Sequence, residues 1–388
     1  MPEKGCRMKI VFISMIRDPW GGSEELWFET AVHALSAGDT VIHSAFKTRD
    51  VHPKKKWLKD NGATIFYRPG ITETGLSTSQ RLKKLVANYL KNKFNNPFRA
   101  IFSLQPDIVV YTGTAYSIAK EKYLLPFLDE YKGQFYILAQ LNTETSDPMD
   151  DPEAAIVKKY FEKSERVFFV SGKNLLAAEH HLAVKIPNAQ VVRNPVNVEP
   201  PSELPFPRNQ TAQIAMVGNL VIVHKGQDLA LAVFSQKEWL ERDFILNVYG
   251  RGPDEEYLKN LVSQYGLAEK VRFHGHVKDV KQIWEKNHIL LMPSHMEGMP
   301  LAVVEAMLCF RPVVATGVGG IPEWIKNDEE GFISENVSVT SLSLTMEAAW
   351  QNRNRWEDMG RKAREKALKL YDPRAGKTLY NLITSKSK

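Results

Sequence analysis

The sequence predicts an α/β protein of two domains, each built on a parallel sheet with helices on its faces. Three observations indicate this fold class. The chain has 388 residues, which is long enough for two ordinary domains. Short apolar runs alternate with helical patterns in both halves, and a proline-rich stretch, Glu199–Pro207, separates them. We therefore expect one domain over residues 1–200, a second over 208–370, and a C-terminal helix and tail over 371–388.

Composition and charge restrict the class of protein. Apolar residues make up 43% of the chain and charged residues 25%, as in soluble globular proteins. The net charge of +6 suits anionic partners, whether sugar nucleotides, acidic lipids or nucleic acid. Two cysteines, Cys6 and Cys309, are too few for a disulfide framework. A polar start and the lack of any apolar run near ~20 residues predict a cytoplasmic protein without a membrane span.

The first half opens like a Rossmann-like unit. Met8–Met15 is predicted as a buried strand, Trp20–Glu24 as a Gly-rich turn, Leu26–Leu35 as a helix and Thr40–Phe46 as the next strand. Two interpretations of the Gly-Gly turn remain open at this point. It can serve tight packing between strand and helix, or it can bring backbone N–H groups up to a ligand phosphate.

Candidate sugar contacts follow a later strand of this half. Gln140 and Asn142 come directly after the predicted strand Tyr136–Ala139. Ligands of open α/β sheets bind at the carboxyl ends of the strands, so both amides are candidates for contact with a sugar. The acidic cluster that follows, Asp147 to Asp151, has the proline spacing of turns and lacks His or Cys partners. We therefore expect no metal site there.

A basic segment, Arg81–Lys93, has apolar residues at helical spacing between its cations. One interpretation is a solvated helix whose apolar face packs on the core. The other is peripheral contact with an anionic membrane surface, at its inner face for a cytoplasmic protein. Nucleic acid is not expected as a partner, because no recognised binding motif accompanies the charge.

Two glutamates frame the most informative unit of the chain. The strand Ile289–Met292 is followed by a loop with Glu297 and by a predicted helix, Leu301–Phe310, which contains Glu305. Free N–H groups in the run Gly298, Met299, Pro300 and Leu301, where proline itself has none, would form an anion site at the helix start. Side chains tilt towards the helix N-terminus, so Glu305 would reach back towards a ligand there. Carboxylates beside a phosphate site suit sugar hydroxyls, and the unit predicts a nucleotide-sugar site. The alternative is one solvated loop glutamate and one surface helix glutamate.

This unit resembles a known signature. The run Pro293-Ser294-x-x-Glu297-Gly298-x-Pro300-Leu301-x-x-x-Glu305 resembles the E-x7-E motif of retaining glycosyltransferases of family 4. Other matches to that family are Gly21-Gly22-Ser23-Glu24, Gly218-x6-Lys225-Gly226 and Gly319-Gly320-x-Pro322-Glu323. The resemblance implies a GT-B fold, in which two Rossmann-like domains face each other across a cleft and the last helix crosses back to the first domain. It also implies transfer of a hexose, with retention, from a UDP- or GDP-linked donor to a glycan, lipid-linked or small-molecule hydroxyl.

The resemblance further implies roles for individual residues. Lys225 would neutralise the donor diphosphate together with backbone groups near Gly22, while Glu305 would bind the ribose and Glu297 the donor sugar. No metal or other cofactor is implied, and Arg251, after the strand Phe244–Tyr249, is a second candidate cation from topology alone.

Two departures from the family pattern keep other functions open. Asn219 stands where the family usually has arginine, and Gln140 and Asn142 lie where many members have a histidine. The alternatives are a catalytically silent subunit that binds a sugar nucleotide, and a sugar-nucleotide epimerase or hydrolase on the same fold.

Overall fold

The structure is a computed structural model that describes residues 7–48, 51–69, 77–80, 82–83, 85–87, 96–142 and 149–385. It divides into two compact units. The first comprises Met1–Pro195 together with Asp372–Lys388, and the second comprises Val196–Tyr371. Most of the basic segment Arg81–Lys93, like Cys6 and Asp147, lies outside the described residues. None of the helices in the described ranges is long and apolar enough to cross a membrane.

Each unit contains one parallel sheet. Among the described residues, seven strands form the first sheet in the order β3-β2-β1-β4-β5-β6-β7, and six form the second in the order β10-β9-β8-β11-β12-β13. The strands are β1 Lys9–Ser14, β2 Thr40–Phe46, β3 Thr64–Arg68, β4 Ile108–Thr114, β5 Gln134–Leu141, β6 Arg166–Phe169, β7 Ala189–Val191, β8 Ala212–Val217, β9 Phe244–Tyr249, β10 Val271–Gly275, β11 Ile289–Met292, β12 Val313–Thr316 and β13 Gly331–Ser334. Both orders contain the 3-2-1-4-5-6 arrangement of a Rossmann fold, which confirms the predicted fold class.

Helices connect these strands. In the described ranges they are α1 Glu25–Ala37, α2 Pro53–Asp60, α3 Arg99–Phe102, α4 Leu125–Glu130, α5 Asp151–Lys163, α6 Gly172–Leu182, α7 Ile222–Lys225, α8 Gln227–Phe234, α9 Lys237–Leu240, α10 Glu255–Gln264, α11 Lys281–Lys286, α12 Leu301–Leu308, α13 Ile321–Trp324, α14 Val339–Gln351, α15 Trp356–Leu370 and α16 Ala375–Thr384. Short 3-10 turns occupy Gly22–Glu24, Ser117–Lys120 and Arg353–Arg355.

The strands are apolar on both faces because helices cover both sides of each sheet. The interior residues of β1, Ile10 to Ile13, are completely buried, and all four residues of β11 are buried as well. Continuous burial explains why these strands read as short uninterrupted apolar runs in the sequence.

The C-terminal helix α16 belongs to the first unit, as predicted. Its residues Leu379 and Ile383 are fully buried in one cluster with Leu26 and Trp27 of α1. The Tyr136 hydroxyl of β5 donates to the carbonyl oxygen of Ile383 at 3.2 Å. The chain therefore leaves the second unit after Tyr371 and completes the core of the first.

Candidate functional site

The strand order of the second sheet reverses between β8 and β11, and the candidate site lies there. The loop after β8 carries Asn219 and Lys225, and the loop after β11 carries Glu297. In open α/β sheets, ligands bind beyond the carboxyl ends of the strands at such a reversal. Topology thus brings together two loops that are far apart in the sequence.

Lys225 and Glu297 are in direct contact. The Lys225 Nζ atom lies 2.6 Å from Glu297 Oε1. The Ser294 hydroxyl donates to the same carboxylate oxygen at 2.7 Å. Glu297 is only 6% exposed, and a buried carboxylate is stable only when it is paired and hydrogen-bonded. Glu297 is therefore not a solvated loop residue. The cation paired with it is Lys225, the residue predicted to bind the donor diphosphate.

Close backbone packing holds the two loops together. Gly226, which ends α7, has a φ of +61°, and a Cβ at this position would overlap the carbonyl oxygen of Pro293. The backbone N–H of His295 donates to the carbonyl oxygen of His224 at 2.9 Å. Only glycine permits this approach, so the Lys225-Gly226 pair of the motif has a structural as well as an electrostatic reason.

A second glycine turn supports Glu297 from the other side. The backbone N–H of Gly320 donates to the carbonyl oxygen of Gly298 at 2.9 Å. Gly319 has a φ of +52°, and a Cβ there would overlap the carbonyl oxygen of Glu297. The turn after β12 is thus packed directly against the glutamate loop, which explains why the two motifs occur together.

Glu305 lies on α12 and is 3% exposed. Its Oε1 atom accepts two hydrogen bonds from Asn197, one from the backbone N–H and one from the side-chain amide, each at 3.0 Å. This excludes the interpretation of Glu305 as a surface helix residue. Asn197 was not predicted as a site residue, since no local pattern links two positions 108 residues apart.

The start of α12 is arranged as predicted. Pro300 precedes the helix, and its carbonyl oxygen accepts hydrogen bonds from the backbone N–H groups of Val303 and Val304, at 3.0 and 3.2 Å. Gly298 and Met299 are buried, whereas Leu301 is partly exposed. The N–H groups of this first turn follow Glu297 within a few residues of the chain.

Asn219 and Arg251 lie on adjoining loops. The side-chain amide of Gln227 donates to the carbonyl oxygen of Asn219 at 2.9 Å. The backbone N–H of Leu220 donates to the carbonyl oxygen of Arg251 at 3.0 Å. The Arg251 side chain is exposed. Its Nε atom lies 3.5 Å from the point where a Cβ would stand on Gly275, at the end of β10. Arg251 thus flanks β9 and β10 and is not part of the Lys225–Glu297 contact.

The predicted residues of the first unit lie at the carboxyl ends of its strands. Gly22 is exposed and begins the 3-10 turn that leads into α1. Gln140 and Asn142 are buried amides, 5% and 4% exposed. The Gln140 Oε1 atom accepts a hydrogen bond from Asn194 at 2.9 Å, and Asn142 exchanges two hydrogen bonds with Asn174 at 2.9 and 3.1 Å. Both amides therefore stabilise the carboxyl end of β5.

Glu24, the last residue of the Gly-Gly-x-Glu match, is also buried. Its two carboxylate oxygens lie 2.9 and 2.8 Å from the Ser14 hydroxyl at the end of β1. Burial raises the pKa of Glu24 to about 7, although the Ser14 hydroxyl and the charge of Lys55 oppose the shift. This glutamate anchors the turn that presents Gly22.

Comparisons with known proteins find glycosyltransferases. Residues 205–366 match a family model described as "Glycosyl transferases group 1". The chain is 30% identical over 181 residues to an uncharacterized glycosyltransferase of Haemophilus influenzae, an alignment that covers 46% of this chain and 50% of that protein. It is 23% identical over 371 residues to the putative colanic acid biosynthesis glycosyltransferase WcaL of Escherichia coli, which covers 88% of each. The chain spans half or less of the length of several other curated relatives.

A solved structure matches over nearly the whole chain. Anabaena Alr3699/HepE in complex with UDP-glucose superposes with a TM-score of 0.71 at 15% identity, over 97% of this chain and 99% of that one. The likeness shows the fold alone, which is the two-domain α/β fold of GT-B glycosyltransferases. The family match and the names of the relatives support the same superfamily.

Proposed function

We propose that this chain is a retaining glycosyltransferase. It moves a hexose from a UDP- or GDP-linked donor to a hydroxyl of a glycan, a lipid-linked sugar or a small molecule. The observation that carries the proposal is the contact of Lys225 with Glu297 at the strand-order reversal of the second sheet. The family match, whose span of residues 205–366 contains both side chains, supports it, as does the likeness to a protein solved with UDP-glucose.

Lys225 stabilises the diphosphate that leaves. An ammonium group has three N–H donors, and the bond to Glu297 uses one of them. The others can bind phosphate oxygens, together with the backbone N–H groups at the start of α12. Donors that are already in place when charge develops on the leaving group are commonly the largest single contribution to catalysis. Protein charges and dipoles perform this role in our proposal, without a metal.

Glu297 binds hydroxyls of the donor sugar and is not a covalent nucleophile. Its Oε1 atom already accepts hydrogen bonds from Lys225 and Ser294, which reduces the nucleophilicity of the carboxylate. The acceptor oxygen attacks the anomeric carbon on the face from which the diphosphate departs. One carbon–oxygen bond forms as the other breaks, and the acceptor proton passes to a phosphate oxygen. This order of events retains the anomeric configuration.

Glu305 binds the ribose hydroxyls. Two hydrogen bonds from Asn197 fix its carboxylate, so the group does not need to be ordered when a nucleotide arrives. The first unit binds the acceptor, with Gln140 and Asn142 near the sugars. Because both amides are buried and hydrogen-bonded, they act by shaping the ends of β5 and its loop.

Thermal unfolding with UDP, GDP and ADP tests the donor class. A nucleotide at 100 times its dissociation constant adds about 2.7 kcal/mol to the free energy of unfolding, which raises the melting temperature by roughly 5–10 °C. We expect one nucleotide to give this shift in the wild type and none in Glu305→Ala. The variant Glu285→Ala, an exposed helix glutamate of the same unit, is the control. If no nucleotide shifts the wild-type melt, the proposal is wrong.

Consumption of the matching sugar nucleotide separates the remaining functions. A transferase consumes donor only when an acceptor is present, and its product keeps the anomeric configuration of the donor. An epimerase or hydrolase would consume donor without an acceptor, and a silent subunit would bind the nucleotide without consuming it.

A further inference from the structure

Two arginines meet on one aromatic ring in the first unit. Phe46 is the last residue of β2, and the guanidinium carbon of Arg68, the last residue of β3, lies 4.2 Å from its ring centroid. The guanidinium carbon of Arg17, in the loop after β1, lies 5.5 Å from the same centroid. Three adjacent strands thus bring two permanent positive charges to the carboxyl edge of their sheet, where ligands of such sheets bind.

The two arginines differ in how they are neutralised. Arg68 is 3% exposed, donates a hydrogen bond to the carbonyl oxygen of Ser14, and lies 3.5 Å from the Glu121 carboxylate. Arg17 is exposed, and none of the described carboxylates lies within ion-pair distance of it. Burial raises the pKa of Glu121, and the charges of Arg68 and Arg17 both oppose that shift, so Arg17 lies close enough to act on the pair.

Two other described carboxylates of this edge already have cationic partners. Glu25 forms an ion pair with Lys54, and the charge of buried Glu24 interacts with that of Lys55. Neither is left over to neutralise Arg17. Arg17 and its exposed neighbour Asp18 form no ion pair with each other. Among the described residues, the charge of Arg17 is therefore not neutralised by direct contact with a carboxylate.

Such an arrangement favours an anionic ligand. Two guanidinium groups at one ring repel each other, and an aromatic face compensates this only in part. A phosphate or carboxylate that arrives at Arg17 relieves the repulsion and can form two parallel N–H···O bonds. Gly22 belongs to the same segment after β1, so the anion would bind near this glycine-rich turn.

We propose that the acceptor of this protein is anionic and that Arg17 binds its phosphate or carboxylate group. The Phe46 ring lies against the Arg17 guanidinium, and Arg68 adds a second positive charge on the same ring. This inference rests on the proposed glycosyltransferase function for the word acceptor, whereas the anion site itself does not. It narrows the substrate class from any hydroxyl compound to one that carries a negative charge near the reacting hydroxyl.

Isothermal titration with three related sugars tests the site. The ligands are glucose, glucuronate and glucose 6-phosphate, which differ in charge at one end. We expect the wild type to bind at least one anionic sugar about ten-fold more tightly than glucose, and Arg17→Gln to lose that preference. Arg99→Gln, which removes the same charge from another exposed position of the first unit, keeps it. Arg17→Lys retains part of it, because lysine keeps the charge and loses the bidentate geometry.

Each other outcome has a defined meaning. Preference for glucose 6-phosphate alone identifies a phosphate ligand, and preference for glucuronate alone identifies a carboxylate ligand; either supports the proposal. Equal affinity for all three sugars, or an anion preference that Arg17→Gln retains, overturns it. A preference that disappears in Lys225→Ala instead places the anion in the second unit, and this also overturns it. If Arg17-dependent binding occurs but no nucleotide binds, the anion site stands and its assignment to an acceptor fails.

Discussion

Asn197 is expected to control nucleotide affinity through Glu305. In Asn197→Ala the backbone N–H still donates to Glu305 Oε1, and the side-chain bond of 3.0 Å is lost. A hydrogen bond to a charged group contributes about 1.5–3 kcal/mol. If the whole of this is lost on binding, the dissociation constant rises by about 10- to 150-fold. Titration calorimetry with the nucleotide that stabilises the wild type measures this directly.

A double-mutant cycle decides whether Asn197 acts only by positioning Glu305. If it does, Asn197→Ala weakens binding in the wild type and has no further effect in Glu305→Ala, because the group that it positions is gone. Asn209→Ala, an exposed asparagine of the same unit, is the control and should leave affinity unchanged. Equal losses from Asn197→Ala in both backgrounds would refute the reasoning, since they would require a contact with the nucleotide that bypasses Glu305.

Two further substitutions test the supports of each unit. Gly319→Ala should lower donor turnover far more than the control Gly266→Ala. Both glycines have positive φ, so both variants share a strain of roughly 1–2 kcal/mol, but only a Cβ at Gly319 meets Glu297. Equal turnover in the two variants would contradict this reasoning. Glu24→Gln should change how stability depends on pH. Burial raises the pKa of Glu24 to about 7, above its unfolded value, so the wild type loses stability as pH rises from about 4.5 to 7. The glutamine of the variant does not titrate in this range. The stability of the variant minus that of the wild type should therefore increase by up to about 3 kcal/mol as pH rises from about 4.5 to 7. Urea denaturation at both pH values measures this difference, and an equal difference at both would contradict the assignment.

The fold was predictable from the sequence because its signals are local. Apolar runs such as Ile289–Met292 mark strands that are buried on both faces, and glycines mark the turns that follow them. The same local signals, read with the family resemblance, predicted that Lys225 and Glu297 serve one ligand. The sequence did not predict that the two side chains contact each other, since that depends on the order of β8 and β11 in the sheet.

Partners that lie far apart in the chain could not be predicted in this way. Asn197 reaches Glu305 across 108 positions, and no spacing rule links a loop asparagine to a helix glutamate. Gln140 and Asn142 were predicted as candidates from their place at a strand end, and the structure does place them at the end of β5. The burial of their side chains and the asparagines that hydrogen-bond to them depend on tertiary packing. Sequence patterns thus locate polar groups at the edge of a sheet and do not reveal which of them are accessible to a ligand.

The charges at the two strand edges support different roles for the two units. In the second unit, Lys225 has a carboxylate partner at 2.6 Å, and Asn219 stands where the related family usually carries arginine. In our proposal this site binds a diphosphate through one lysine and oriented backbone dipoles, and Glu297 and Glu305 bind hydroxyls. In the first unit, Arg17 has no carboxylate among the described residues to neutralise it. Since an uncompensated guanidinium discriminates against neutral ligands while a neutralised lysine does not, selectivity for charge is expected to reside with the acceptor, and selectivity for hydroxyl geometry with the donor.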